Sequence, residues 1–174
     1  MPGGIILKLA QTAAEDFIRH GTLAPLPAAL PPELLRQKAC FITIYENPGR
    51  HYRASYGTPI PHQVSLAQEI MSNTAMAIQQ NPGHALRSVD LSYLKYEVAV
   101  VESLERITSA SHLQPDLYGL YLRSDRDKIA VILPRRTGIE SADDQLATAF
   151  RESGINTRAE AVTMYRFPVT FYGN

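Results

Sequence analysis

Residues 39–57 read ACFITIYENPGRHYRASYG, and the way this stretch folds decides the architecture around it. Cys40, Ile42 and Ile44 alternate with Phe41, Thr43 and Tyr45, the period of a strand that turns one face to a core. Pro48-Gly49 carries turn chemistry, since proline presets φ at the second turn position and glycine tolerates positive φ at the third. Tyr52 to Tyr56 is then the returning strand of a hairpin. That strand holds an arginine, a serine and two tyrosines where a plain core strand would hold valines.

Upstream, Ile6, Leu9, Ala10, Ala13, Ala14, Phe17 and Ile18 recur at helical spacing, with Lys8, Gln11, Glu15, Asp16 and Arg19 on the other face. Gly21 supplies the stop. TLAPLPAALPP, Thr22 to Pro32, carries four prolines and is read as an extended surface crossing before a short helical turn at PELLRQ. Downstream of a TPIPHQV loop, Ser65 and Gln68 form the S-x-x-Q box that opens a second long helix. Strands are expected at Tyr93 to Val101, Tyr118 to Arg123 and Lys128 to Leu133, and a last long helix over Ser141 to Ser153 ends at Gly154. AVTMYRFPVTFY closes the chain as a strand whose Pro168 argues for an edge or a bulge. The order α, ββ, α, β, ββ, α, β predicts an α+β protein with largely antiparallel or mixed sheets.

A chain of 174 residues fits one domain, here 1–174, and can bury roughly 70% of its unfolded surface. Lysine plus arginine number 17 and aspartate plus glutamate number 17, so no global field draws it to nucleic acid or to an anionic membrane. The single cysteine, Cys40, excludes an intrachain disulfide and a thiolate-rich zinc site. A reducing compartment is implied, and the cytoplasm is the expected location. No basic leader precedes the first hydrophobic run, and no stretch is long and apolar enough to suggest a membrane span.

Arg53-Ala54-Ser55-Tyr56-Gly57 is similar to half of a G-x-S-x-G nucleophile elbow, but its first glycine is missing and Ser55 lies within a strand rather than at a strand-to-helix turn. The histidines, His20, His51, His62, His84 and His112, show no i, i+4 pair and no H-E-x-x-H, so neither a metal nor another cofactor is expected. Arg123, Arg126, Lys128, Arg135 and Arg136 gather around one hairpin with Tyr118 and Tyr121, a faint nucleic-acid signature diluted by Asp116, Asp125 and Asp127. Cys40 shares the inward register of Ile42 and Ile44 and reads as a buried structural thiol.

Taken in order, these segments resemble the AMMECR-type domain family. ILKLAQTAAEDFIRHG is similar to its opening helix, ACFITI to its G-V-F-V-T-L strand, and Tyr52 to Gly57 to its L-R-G-C-I-G signature. YEVAVVE, VILP, ESGI and MYRFPVTF match later segments, so the resemblance spans nearly the whole chain. It implies an α+β fold of two unequal, tightly packed lobes.

For function, the resemblance implies component A of the AmmeMemoRadiSam system, a biomolecule-modification set with radical-SAM and Memo-type proteins as the implied partners. The signature cysteine is Ser55 here and its glycine neighbour is Ala54. A hydroxyl is a far weaker nucleophile than a thiolate and does no redox chemistry. The family's D-P-R-F segment aligns with Asn81-Pro82-Gly83-His84 and loses its charge and ring. The expected ligand- or partner-binding residues are Arg53, Ser55, Tyr56, Gly57 and His62, with Arg53 offering its planar fork to an anion or pairing with an internal acid such as Glu97. A binding or accessory protein is the first reading, an enzyme using Arg53 and Ser55 the alternative, and a nucleic-acid binder the third.

Overall fold

The structure is a computed structural model and describes residues 2–81 and 85–174. Pro82, Gly83 and His84, three of the four residues aligned with the D-P-R-F segment, lie outside the described residues. Backbone contacts divide the α+β chain into two unequal compact units, residues 1–100 with 170–174, and residues 101–169.

The first unit contains α1 (Pro2–His20), α2 (Pro32–Leu35), β1 (Cys40–Glu46), β2 (His51–Gly57), α3 (Leu66–Gln79), a 3-10 turn (Ser88–Tyr93) and β3 (Leu94–Val101). β1 is flanked by β2 and β3, both antiparallel to it. Cys40, Ile42 and Ile44 are fully buried against Ala10, Ala13 and Ala14 of α1 and Ile70 of α3, as their alternation predicts. Small alanines on α1 and α3 let these two helices approach closely, and α3 lies against β1 and β2. α1 ends at Gly21, which has φ 71° and returns its N–H to the Phe17 carbonyl at 2.9 Å. α3 opens on Ser65, whose hydroxyl accepts from the Gln68 N–H at 3.3 Å; the reciprocal contact runs from that hydroxyl to Gln68 Oε1 rather than to backbone.

The second unit contains β4 (Glu105–Ile107), β5 (Tyr118–Ser124), β6 (Ile129–Ile132), α4 (Ala142–Ser153) and most of β7 (Val162–Gly173). β5 lies between β6 and β7, and β4 pairs with the other side of β7. α4 covers Leu120, Leu122, Ala130 and Ile132. Because β7 has neighbours on both sides here, Pro168 does not mark an edge strand. It occupies the last rung of the β5 ladder, opposite Tyr118, where its missing donor coincides with the end of pairing. β4 is absent from the sequence reading: three residues, two of them charged, give no periodic signal.

An ion cluster ties the β5–β6 turn to the end of α4. Lys128 Nζ binds Glu160 Oε1 at 2.7 Å and the Gly154 carbonyl at 2.9 Å, and the Asn156 N–H reaches the same carboxylate at 3.1 Å. Lys128, with help from Ser124 and the Asn156 amide, holds the Glu160 carboxyl down to about 2. A folded-state pKa below the usual carboxylate value contributes stability that is complete above the unfolded value and lost as pH falls toward the folded one. The melting temperature is therefore expected to fall between about pH 4.5 and pH 2 more steeply in the wild type than in Glu160→Gln. Parallel acid titrations of the two proteins would refute this attribution.

Candidate functional site

The returning strand is not a regular one. Ile44 opposes Ala54 while Tyr45 opposes Tyr52, so Arg53 is an extra residue, a bulge in β2. The insertion switches the face on which everything before it lies. Tyr52 thus joins Ser55 on the outward face of the sheet instead of following Ala54 into the core.

On that face, Ser55, Thr43 and Glu97 form one row across β2, β1 and β3, and Tyr52, Tyr45 and Lys95 form the next. Neighbouring rows and strands place such side chains within reach of one another. The Tyr52 hydroxyl and Ser55 Oγ lie 2.9 Å apart, both residues being exposed. Arg50, at the end of the hairpin turn with φ 52°, reaches back so that its guanidinium lies 4.3 Å from the centre of the Tyr45 ring and binds Glu97 at 2.8 Å. Cation–π and ion-pair contacts together fix an arginine that has 54% of its side chain exposed.

The five expected site residues do not converge. Arg53 pairs with Glu46, not Glu97, and its carbonyl accepts from the Asn81 side-chain amide. The arginine that finds Glu97 is Arg50. Tyr56 turns inward, opposite Ile42, and packs against the core. Gly57 is present for steric reasons: a Cβ there would sit 2.5 Å from the Phe41 Cα and 2.6 Å from the Cys40 carbonyl. His62 lies in the loop before α3, its ring 3.2 Å from the Thr58 hydroxyl and its backbone N–H on Glu69.

Only Ser55 of the five points outward from the sheet. Tyr52, Arg50, Tyr45 and Glu97 complete its surroundings; of these only Glu97 was singled out from sequence, as an acid for Arg53. The signal for Tyr52 was its place in the strand, but strict alternation would have assigned it to the inner face.

The chemistry follows from the partners. Among the described residues, neither His51 nor His62 hydrogen-bonds Ser55, so neither is placed to take its proton. Cys40 is buried, and desolvation, then the Glu69 charge, pushes its thiol well above the ordinary range against a smaller opposing contact from Asn73. It is no nucleophile. Among the described residues no three histidine, cysteine or acidic side chains gather to hold a metal, and no helix is long and apolar enough to cross a membrane. The basic hairpin is largely neutralised: Arg123 binds Asp127 at 2.8 Å, Lys128 binds Glu160, and Arg136 grips Glu152 through both terminal nitrogens.

Residues 7–172 match the family model described as AMMECR1. The chain belongs to the AMMECR1 family. A Thermotoga maritima protein is 29% identical to it over 168 residues, covering 95% of both chains. A Thermococcus gammatolerans protein is 27% identical over 116 residues, which is 65% of this chain and 57% of that one. The crystal structure of an uncharacterised protein from Pyrococcus horikoshii superposes with a TM-score of 0.84 at 19% identity, covering 98% of this chain and 90% of that one. This last likeness establishes the AMMECR1 fold. Within it, the strand that the sequence reading aligns with the family signature is the bulged β2, and Ser55 points outward from it.

Proposed function

We propose that this AMMECR1 protein is a non-catalytic, accessory binding component of a biomolecule-modification pathway, and that the outward face around Ser55, Tyr52 and Arg50 receives a radical-SAM or Memo-type partner. The observation that carries this reading is the Ser55 hydroxyl: it is exposed, its partner is the Tyr52 hydroxyl, and no histidine among the described residues hydrogen-bonds it. A nucleophile needs activation, whereas a recognition surface needs exposed aromatic and arginine side chains held in place. Tyr52 is 63% exposed and Arg50 is fixed between a ring and a carboxylate.

The test is binding of the purified protein to the radical-SAM and Memo-type proteins of its own host, measured for the wild type, Tyr52→Ala and Arg50→Ala. Central aromatic and arginine anchors contribute about 2 kcal/mol each, so roughly a thirtyfold loss of affinity is expected for either variant with the fold unchanged. Equal affinity of wild type and variants removes this face from the interface, and no binding by the wild type removes the partnership. Once a substrate is known, turnover that vanishes in Ser55→Ala would support the enzymatic alternative.

A further inference from the structure

A second site lies within the first unit, where a cleft of ≈ 370 Å³ opens between α1, the 3-10 turn and the start of β3. Its lining is polar: Gln11, Glu15 and Arg19, successive turns of one α1 face, stand across from Lys95 and Tyr96, with Asn174 at one side. The Asn174 side chain accepts from the Tyr96 N–H at 2.9 Å and fixes that wall.

Three groups here have unused bonding capacity. The Tyr96 hydroxyl is buried, in a residue 3% exposed, and has no hydrogen-bond partner. Burial and then the Glu15 charge push its pKa well up, and both residues line the cleft. Glu15 uses one oxygen on Gln11 Nε2, at 2.9 Å, and keeps the other. Arg19 stands one helical turn beyond Glu15, the spacing of a helical ion pair, yet it has no salt bridge among the described residues. A buried hydroxyl left unsatisfied is costly, so an unpaired one beside a charged cleft asks for a partner.

We propose that this cleft binds a free α-amino acid, its ammonium group on Glu15 and the Tyr96 hydroxyl and its carboxylate on Arg19. An anion alone would leave the acid and the hydroxyl unanswered. A cation alone would leave Arg19 unanswered. The two charges of a zwitterion answer both, and the site is separate from the Ser55 face on the other side of the sheet.

The test follows the backbone amides of Lys95 and Tyr96 by NMR while the full chain is titrated with an equimolar pool of the standard α-amino acids. The same pool is then used N-acetylated, which mimics a peptide's C-terminal residue, and as methyl esters, which mimic its N-terminal residue. The free pool is expected to shift both amides, and each blocked pool to act at least about tenfold more weakly, since each loses a charge-assisted contact. Glu15→Gln should weaken binding about tenfold, and Tyr96→Phe about fivefold while leaving the fold at least as stable, because it removes an orphaned hydroxyl. No shift with the free pool overturns the proposal. So does an equal shift with either blocked pool, or an unchanged affinity in Glu15→Gln.

Discussion

Gly57→Ala is expected to lose about 3 kcal/mol of folding stability, a melting temperature lower by roughly 6–12 °C, although it adds one methyl group to a surface strand. The added carbon would meet the Phe41 Cα at 2.5 Å and the Cys40 carbonyl at 2.6 Å. Both are backbone atoms of the paired strand, so neither can rotate away, and relief requires β1 and β2 to separate. The family signature ends at this glycine, which invites a role in ligand contact. The register instead ties Gly57 to strand pairing. Thermal unfolding of Gly57→Ala distinguishes the two: a wild-type melting temperature would mean that the strands can part without cost and that the glycine serves something else.

Glu69→Ala is expected to cost a similar amount, about 3 kcal/mol, through a different cause. Glu69 is fully buried, and one oxygen accepts the backbone N–H groups of His62 at 2.9 Å and Gln63 at 2.7 Å. The Asn73 amide donates to the Cys40 carbonyl at 2.9 Å and lies 3.5 Å from the other Glu69 oxygen. Removing the carboxylate leaves two loop amides without an acceptor and frees the segment that carries His62. Glu69→Gln keeps an acceptor oxygen in place and should lose about 1 kcal/mol. Hydrogen exchange at His62 and Gln63 reports the cause directly: protection that survives in Glu69→Ala would show that the loop is held by other contacts.

How much of this was legible in the sequence depends on the range of the interactions. The hairpin, the helix stops at Gly21 and Gly154 and the Ser65 cap are written within a few residues, and each is found where the sequence puts it. Arg53 was read as offering its fork to an anion or pairing with an internal acid such as Glu97; it pairs instead with Glu46, just across the hairpin, while Glu97 lies two strands away. Arg50 meets Glu97 only because β1 brings the turn beside β3, a contact across 47 positions that no local pattern encodes. The bulge was the main obstacle. A period-two reading of HYRASYG places Tyr52 in the core, and only the pairing with β1 reveals the extra residue. Tyr52, a central residue of the candidate face, was therefore invisible as such. The orphaned Tyr96 hydroxyl was equally hidden, since a tyrosine in a strand reads as core until its neighbours are known.

The bulge at Arg53 and the Asn81 amide on its carbonyl also bear on a hazard that any sheet protein faces. β2 is the outermost strand of its sheet, and its free edge offers a template for another chain. With the ladder interrupted at Arg53 and that carbonyl already occupied, an incoming strand cannot pair continuously along it. The same kink that turns Tyr52 toward Ser55 thus guards the protein against edge-to-edge aggregation, and a straightened β2 would trade the Tyr52–Ser55 contact for a tendency to form fibres.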